Sequence, residues 1–333
     1  MMKKRLLAPL LLVFLLFLSA CGNGNENESA EKDENTKEEP KTETKAAEPS
    51  GEKMTIGVLP AESAIPIILA KEKGFFEEEG VNVSIKSFSS PNDRNVAVQA
   101  KELDAAIGDV MTEATFKDNG INMKITSDIS EDFKILSSPD SGITEMSGLS
   151  GKKVSLVPNF ILEYIMDEFA KKDKFDYEIV EIPSFSGRAE ALLSNQIDGV
   201  VFTEPQAGML VKQGAHLLGS SKEAGIKGGT IQFTDEMIES KSADIKAFYT
   251  AYNKAVDYMN DTEAAEYSDI LTKYQFPEQM SDYLASMPDD IAHAGKIDQD
   301  QFDSIIKWTK EKGQIKKEYS YKELTDFSFI EEK

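Results

Sequence analysis

Short apolar runs alternate with amphipathic stretches from about residue 54 onward. The run MTIGVLP is typical of a buried strand that ends at Pro60, and the stretch AIPIILAKEKG that follows has the apolar spacing of a helix. VNVSIKSF then alternates apolar and polar residues, as a strand with one buried face does. Strands that alternate with helices in this way predict a largely parallel sheet covered by helices.

The same order of strand, helix, strand, helix and strand occurs a second time, from GKKVSLVP to DGVVF. The two copies also align residue by residue, because placing Asp104 on Asp198 brings Arg94 onto Arg188. We therefore predict two α/β lobes, in each of which the aligned helix leads into a central strand.

The segments just beyond DAAI and DGVV, near 109–112 and 203–206, are predicted to cross between the lobes. This assigns 54–110 plus 206–333 to lobe 1 and 111–205 to lobe 2. The last part of the chain has apolar residues at helical spacing, and Trp308 in QFDSIIKWTKEKGQI is predicted to pack in the core.

The first 53 residues have a different composition. Residues 1–20 combine a positive start with an apolar run of signal-peptide length, and the order Leu-Ser-Ala-Cys around Cys21 resembles the bacterial lipobox, in which the cysteine is acylated. Residues 22–53 contain no aromatic and no large aliphatic residue. These residues predict a cleaved signal peptide, a lipidated Cys21 and a disordered tether, which together place the protein at the extracytoplasmic face of the cell membrane.

Composition narrows the class of partner. Cys21 is the single cysteine among 333 residues, so an exported fold would rely on core burial without disulfides. The net charge of −22 would repel nucleic acid, and no nucleic-acid partner is expected. No metal-ligand cluster or phosphate-binding glycine loop occurs in the sequence, so no metal or cofactor is expected.

Several successive segments resemble the solute-binding proteins of ABC importers. They are LAKEKGFFEEEGVNVSI, AKELDAAIGD, GLSGKKVSLVP and ALLSNQIDGVVFTEP, which span much of residues 54–260. The resemblance is to the branch that binds aliphatic sulfonates, taurine and thiamine pyrimidine precursors. It implies a two-lobed, type II periplasmic-binding-protein-like fold with two crossover strands, a small-molecule ligand held between the lobes, and an ABC permease with its ATPase as partners of a monomeric receptor.

Loops that follow strands and first turns of helices can point unpaired N–H groups at a ligand, and they supply the candidate contacts. The candidates are Pro60, Glu62, Ser63, Ser89, Ser90, Asp109, Thr112, Asn159, Phe160, Ser186, Arg188, Thr203 and Glu204. Asn159 would also suit the N-cap of the helix that follows it.

Arg94 and Arg188 are the only arginines after the signal segment, and each is predicted near a helix N-terminus, where the helix dipole disfavours a cation. Each therefore needs an anionic partner. A neighbouring carboxylate such as Asp93 or Glu190 is favoured in so acidic a chain, and an anionic ligand is the alternative.

The ligand is inferred from the acids near the predicted crossings. Asp109, Glu204 and Glu62 would repel a sulfonate but would accept hydrogen bonds from a nitrogen heterocycle, which could stack on Phe160 or Phe202. A heterocycle such as a thiamine pyrimidine precursor is therefore favoured over an alkyl sulfonate or taurine.

Two other functions compete with import. A lipoprotein that reports solute to a membrane sensor would have the same sequence features. The resembling group also includes a pyrimidine synthase that depends on His and Cys residues. Here histidine occurs only at His216 and His293, outside the candidate loops, and no catalytic residues are expected.

Overall fold

The computed structural model describes residues 48–276, 280–287 and 290–330. The predicted signal peptide, Cys21 and most of the predicted tether lie outside these ranges. The strands are β1 Lys53–Val58, β2 Asn82–Ser87, β3 Ala105–Asp109, β4 Met123–Asp128, β5 Lys134–Ser137, β6 Lys152–Leu156, β7 Tyr177–Glu181, β8 Gly199–Phe202, β9 His216–Ser220 and β10 Gly229–Thr234.

The helices begin and end as follows: α1 Ile65–Glu72, α2 Phe75–Glu78, α3 Pro91–Gln99, α4 Val110–Asp118, α5 Ile161–Asp173, α6 Phe185–Leu193, α7 Gln206–Lys212, α8 Asp235–Ser240, α9 Ser242–Asp261, α10 Ser268–Leu271, α11 Met280–Leu284, α12 Gln299–Glu311 and α13 Tyr321–Leu324. Within the described residues, no helix combines the length and apolar character that a bilayer crossing needs.

The strands of the described ranges form two five-stranded sheets flanked by helices, in the orders β2-β1-β3-β10-β4 and β7-β6-β8-β5-β9. In the first, β1 pairs in parallel with β2 and β3, whereas β10 runs antiparallel to β3 and β4. In the second, β5 is the reversed strand, between β8 and β9. The two α/β lobes predicted from the sequence are present, and each sheet is mixed because one strand arrives from the other lobe.

The chain crosses between the sheets at 129–133 and 221–228, about twenty residues later than the predicted crossings near 109–112 and 203–206. The reason is that β3 and β8 are each followed by a helix, α4 or α7, which returns the chain to the same sheet for β4 or β9. The boundaries predicted at 110 and 205 would place β4 in lobe 2 and β9 in lobe 1. In the structure β4 belongs to the first sheet and β9 to the second. The two crossing segments pair, since Ser221 N donates to Phe133 O at 2.8 Å.

The predicted tether also ends too late. Lys53 is already in β1, and Ser50 donates through its backbone N and its Oγ to the Asp244 carboxylate of α9, at 2.8 Å for the hydroxyl. The folded part therefore begins no later than Ser50.

Helix α12 packs against both lobes. Its apolar residues share one core cluster with α4, which follows β3 of the first sheet, and with α5, which covers the second sheet. Trp308 is buried there, as predicted, and its Nε1 donates to Asp167 of α5 at 2.9 Å. Lys312 at the C-terminus of α12 pairs with Glu163 and Asp167 at 2.6 and 2.8 Å. The C-terminal part of the chain, assigned to lobe 1 from sequence, therefore also contacts lobe 2.

Candidate functional site between the lobes

A cavity of about 70 Å³ lies between the two sheets, beside the first crossing segment. Three helices, α3, α5 and α6, begin at its wall, so the positive ends of their dipoles border it. The small volume suits a compact molecule. Its lining residues are Leu59, Ala61, Ser63, Pro91, Arg94, Ile107, Gly108, Asp109, Glu131, Phe133, Val157, Phe160, Ile161, Leu162, Phe185, Arg188 and Thr203.

Arg188, the fourth residue of α6, is 1% exposed and lies between two phenylalanine rings. Its guanidinium carbon is 5.1 Å from the ring centroid of Phe185 and 4.7 Å from that of Phe202. Within the described residues, Nε and Nη1 have no hydrogen-bond partner, and the expected salt bridge to Glu190 is not formed. Burial lowers the pKa of Arg188 to about 10, so the side chain remains a cation at neutral pH. Arg188 is thus a buried charge in the cavity wall whose Nε and Nη1 have no acceptor in the described chain.

Arg94 occupies the same fourth position of α3, but its N–H groups are used. Nη1 donates to Ile107 O at 2.6 Å, and Nε and Nη2 donate to Asn95 Oδ1 at 3.0 and 2.8 Å. The sequence suggested Asp93 as its partner, but Asp93 accepts from Ser90 instead. Burial lowers the pKa of Arg94, whereas the nearby carboxylates of Asp109 and Glu131 raise it. Arg94 therefore partly offsets the charges of these two acids and is hydrogen-bonded to the middle of β3.

Asp109 connects the two lobes. It is the N-cap of α4, where Oδ1 accepts from Thr112 N at 2.8 Å, and Oδ2 accepts from Ile161 N at 3.2 Å, the first residue of α5 in the other lobe. Burial raises its pKa, while the Arg94 charge and the hydrogen bonds from Thr112 and Ile161 lower it. Both carboxylate oxygens are thus bonded to the protein rather than directed at a ligand.

Glu204 and Glu62 do not line this cavity. Glu204 accepts from Lys134 Nζ at 2.5 Å and from Gly208 N at 2.8 Å. Glu62 accepts from the backbone N–H of Asp132 and the hydroxyl of Tyr283. Burial raises the pKa of Glu62 to about 8, and the charges of Glu131 and Glu204 add to this rise. The oxygens on which the heterocycle inference depended are therefore occupied.

Glu131 is a cavity residue that the sequence analysis missed. It lies in the first crossing segment, and its Oε1 accepts from Ser63 Oγ at 2.5 Å. Burial raises the pKa of Glu131 to about 7, and the neighbouring Asp109 charge acts in the same direction. The acidic stretch SDISED between two apolar runs was the available signal. The crossing predicted at 109–112 does not include this stretch, most of which lies in the crossing that the structure places at 129–133.

The structure divides the thirteen candidate contacts among several places. Those that line the cavity are Ser63, Asp109, Phe160, Arg188 and Thr203. An outer groove that shares Phe185 with the cavity includes Pro60, Ser89 and Ser186, and a polar opening that shares Phe160 includes Thr112 and Asn159. Glu62, Ser90 and Glu204 line none of these three surfaces.

Two local roles differ from the sequence prediction or add to it. The N-cap of α5 is Phe160 rather than Asn159, which has a left-handed backbone with φ of 68° and donates its N–H to Glu163. Ser90 caps α3 and accepts from Asp93 N at 3.2 Å.

The histidines lie away from the cavity. His216 Nε2 is 3.2 Å from Pro139 O, and His293 Nε2 is 2.6 Å from Asp257 Oδ1. Among the residues that the structure describes, no group of three or more His, Cys, Asp or Glu side chains could hold a metal ion.

Two α/β lobes that are joined by two crossing segments and enclose a cavity define a periplasmic-binding-protein-like fold. The chain belongs to the NMT1/THI5-like family, whose model matches residues 62–265.

Similar proteins include both binding proteins and enzymes. The chain is 27% identical over 226 residues to the putative aliphatic sulfonates-binding protein of Bacillus subtilis, which covers 63% of this chain and 67% of that one. It is 26% identical over 218 residues to the 4-amino-5-hydroxymethyl-2-methylpyrimidine phosphate synthase THI11 of Saccharomyces cerevisiae, covering 59% of this chain. That match spans 63% of the yeast protein.

The fold is also that of a solved structure, the alkanesulfonate-binding protein SsuA from Xanthomonas axonopodis pv. citri bound to MOPS. The TM-score is 0.72 at 14% sequence identity, and the match covers 84% of this chain and 99% of that chain.

Proposed function

We propose that this protein is an extracytoplasmic solute receptor that traps a small anionic molecule between its lobes and delivers it to an ABC importer. The observation that carries the proposal is Arg188, a buried cation that lines the interlobe cavity with Nε and Nη1 unpaired in the described chain. Burying an unpaired charge is unfavourable, and an anionic group beside the guanidinium would offset that penalty through charge-assisted hydrogen bonds.

Other groups around the cavity favour the same charge. Thr203 lines it, and its buried Oγ1 has no partner in the described chain, so the hydroxyl can donate to an anion. The N-termini of α5 and α6 add partial positive charge on the side of lobe 2. Lobe 2 thus supplies the anion contacts, and lobe 1 forms the opposite wall of the cavity.

A sulfonate is the anion that the relatives support, since the Bacillus subtilis relative is named for aliphatic sulfonates. This reverses the preference for a neutral or cationic heterocycle that the sequence suggests. The reason is that the carboxylate oxygens of Asp109, Glu204 and Glu62 accept hydrogen bonds from protein donors. A pyrimidine remains the second candidate, since the yeast relatives are named as pyrimidine phosphate synthases. Phe160 and Phe185 in the cavity wall could stack on its ring.

Receptor activity is proposed in preference to catalysis. The two histidines make their contacts outside the cavity, and among the described residues that line it there is no serine–histidine or cysteine–histidine pair. The permease and ATPase of an importer are the proposed partners of a monomer. The alternative role is to report the solute to a membrane sensor kinase. Coexpression with each partner, followed by measurement of the uptake of radiolabelled ligand, tests which role applies.

A panel of ligands tests the proposed anion class. Ethanesulfonate, taurine, sulfate and the neutral 4-amino-5-hydroxymethyl-2-methylpyrimidine would be compared by thermal shift. At a hundred times the dissociation constant, a bound anion should stabilise the protein by about 2.7 kcal/mol, which raises the melting temperature by roughly 5–10 °C. A shift with the neutral pyrimidine and with none of the anions would refute the anionic assignment.

We also propose that the protein is held at the membrane by acylation of Cys21. Cys21→Ser should move the protein from the membrane fraction to the medium without changing its melting temperature, because the tether separates the cysteine from the folded lobes. Fractionation followed by immunoblotting measures this. Retention of the processed Ser variant in the membrane fraction would contradict the lipid anchor.

A further inference from the structure

A further polar group, besides those of Arg188 and Thr203, lines the same cavity without a full set of partners. Glu131 uses Oε1 to accept from Ser63, whereas its Oε2 forms no hydrogen bond within the described residues. The carboxylate lies against Gly229 at the start of β10, where a Cβ atom would approach Oε2 to 2.8 Å. The lack of a side chain at position 229 therefore leaves the space in which this carboxylate lies.

We propose that Glu131 is a specificity-determining residue, whose Oε2 accepts a hydrogen bond from an amino group of the ligand while Arg188 binds the ligand's acid group. The ligand would then be a compact amino-substituted anion. This inference rests on the proposed function, since it places the anionic group at Arg188.

The charges around the cavity support a ligand with both groups. Arg94 and Arg188 contribute two positive charges to the lining, and Asp109 and Glu131 contribute two negative charges when both are ionised. A simple anion would leave this set with an excess negative charge, and its acid would be repelled by Glu131. An anion that also carries an ammonium group leaves the balance unchanged and places opposite charges beside each other.

The two ligand classes should respond to pH in opposite directions. The groups facing Glu131 are Ser63 from the turn before α1, Arg94 from α3 and Asp109 at the end of β3, with Glu62 and Tyr252 also near. Because burial raises the pKa of Glu131 to about 7, the carboxyl changes charge in the neutral range. An amino-substituted anion should bind more tightly as the pH rises through 7, since the ionised Glu131 attracts its ammonium. A plain anion should bind more tightly as the pH falls.

Titration calorimetry on matched pairs tests this proposal. The probes are taurine against ethanesulfonate and β-alanine against propionate, each measured from about pH 6 to pH 8. In the wild-type protein the amino member of a pair should bind about tenfold more tightly at the upper pH, the size expected for a hydrogen bond between charged groups. Glu131→Gln should reduce that preference to about twofold and remove its pH dependence. Glu62→Gln is the matched control, because Glu62 also titrates near neutral pH but does not line the cavity, and it should leave the preference intact.

The outcomes separate this inference from the proposed function. Plain and amino-substituted anions could bind equally to the wild-type protein at every pH, with binding that depends on Arg188. In that case the proposed role of Glu131 is wrong, and the proposed function as a receptor for anions is retained. If no anion of either kind binds, both are wrong. The wild-type pH profile decides the matter even if Glu131→Gln does not fold.

Discussion

Replacing Arg188 with glutamine should weaken the binding of a small anion by about 100-fold or more, without loss of fold. The expected loss follows from the removal of the only unpaired cation among the described lining residues, because truncating one partner of a buried charged hydrogen bond costs roughly 2–5 kcal/mol. Arg188→Lys should recover a small part of the affinity, since an ammonium lacks the planar fork that pairs with two anion oxygens.

The same substitution should not destabilise the ligand-free protein. Burial lowers the pKa of Arg188 from its usual value to about 10, which corresponds to roughly 3 kcal/mol of unfavourable burial of the cation. Loss of the contacts with Phe185 and Phe202 offsets part of this, at about 1 kcal/mol for each ring. We therefore expect an unchanged or slightly higher melting temperature together with a large loss of affinity.

Arg94 provides the matched control, because it has the equivalent place in the internal repeat and in its helix. Arg94→Gln removes a hydrogen bond to Ile107 O and leaves Asp109 and Glu131 without their neighbouring cation, so it should lower stability by about 3 kcal/mol. Calorimetric titration and differential scanning calorimetry of both variants measure the contrast. Equal losses of affinity and stability in the two variants would show that Arg188 has a structural role and no special role in ligand binding.

Of the two carboxylates that line the cavity, Asp109 and Glu131, we expect Asp109 to contribute more to stability, and Asp109→Ala should therefore destabilise the protein more than Glu131→Gln. It removes the N-cap of α4, leaves Ile161 N–H without its acceptor in the other lobe, and takes a carboxylate away from the buried Arg94. The combined loss should be about 3 kcal/mol, which lowers the melting temperature by roughly 6–12 °C. Differential scanning calorimetry without ligand measures it.

Asp109→Asn separates the contributions of Asp109. An asparagine oxygen can still accept from Thr112 N and preserve the cap, but the interlobe contact to Ile161 and the charge beside Arg94 are lost. It should lie between the wild-type protein and Asp109→Ala in stability. If both variants kept the wild-type melting temperature and lost only ligand affinity, Asp109 would be a ligand contact, as the sequence first suggested.

The alternation of strands and helices made the two lobes predictable, because apolar periodicity survives in a single sequence. It did not locate the crossings. The residues after β3 and β8 carry no local signal that distinguishes a crossing from a return helix, and the strands GTIQFT and KILS give no indication of direction. Their reversed placement in the sheets depends on pairing with residues far along the chain.

The position of the cavity-lining residues is predictable to the extent that helix starts after strands are identifiable, and Phe160, Arg188 and Thr203, which are predicted in that way, line the cavity. Their charge partners are not predictable. Glu190 is near Arg188 in sequence but lines the outer groove, whereas Glu62, Asp109 and Glu204 are satisfied by residues distant in the chain or by backbone N–H groups. Hydrogen bonds of that kind leave no pattern in the sequence, which is why the sequence predicts free acids and a paired arginine.

The binding of an anion to Arg188 between the lobes can be tested by a crystal structure of the protein with bromoethanesulfonate. The anomalous signal of bromine locates the ligand independently of the shape of its density. We expect a bromine peak in the interlobe cavity and sulfonate oxygens within hydrogen-bond distance, about 3 Å, of Arg188 Nε and Nη1. A bound sulfonate outside this cavity, or one inside it with its oxygens directed away from Arg188, would show that Arg188 does not bind the anion.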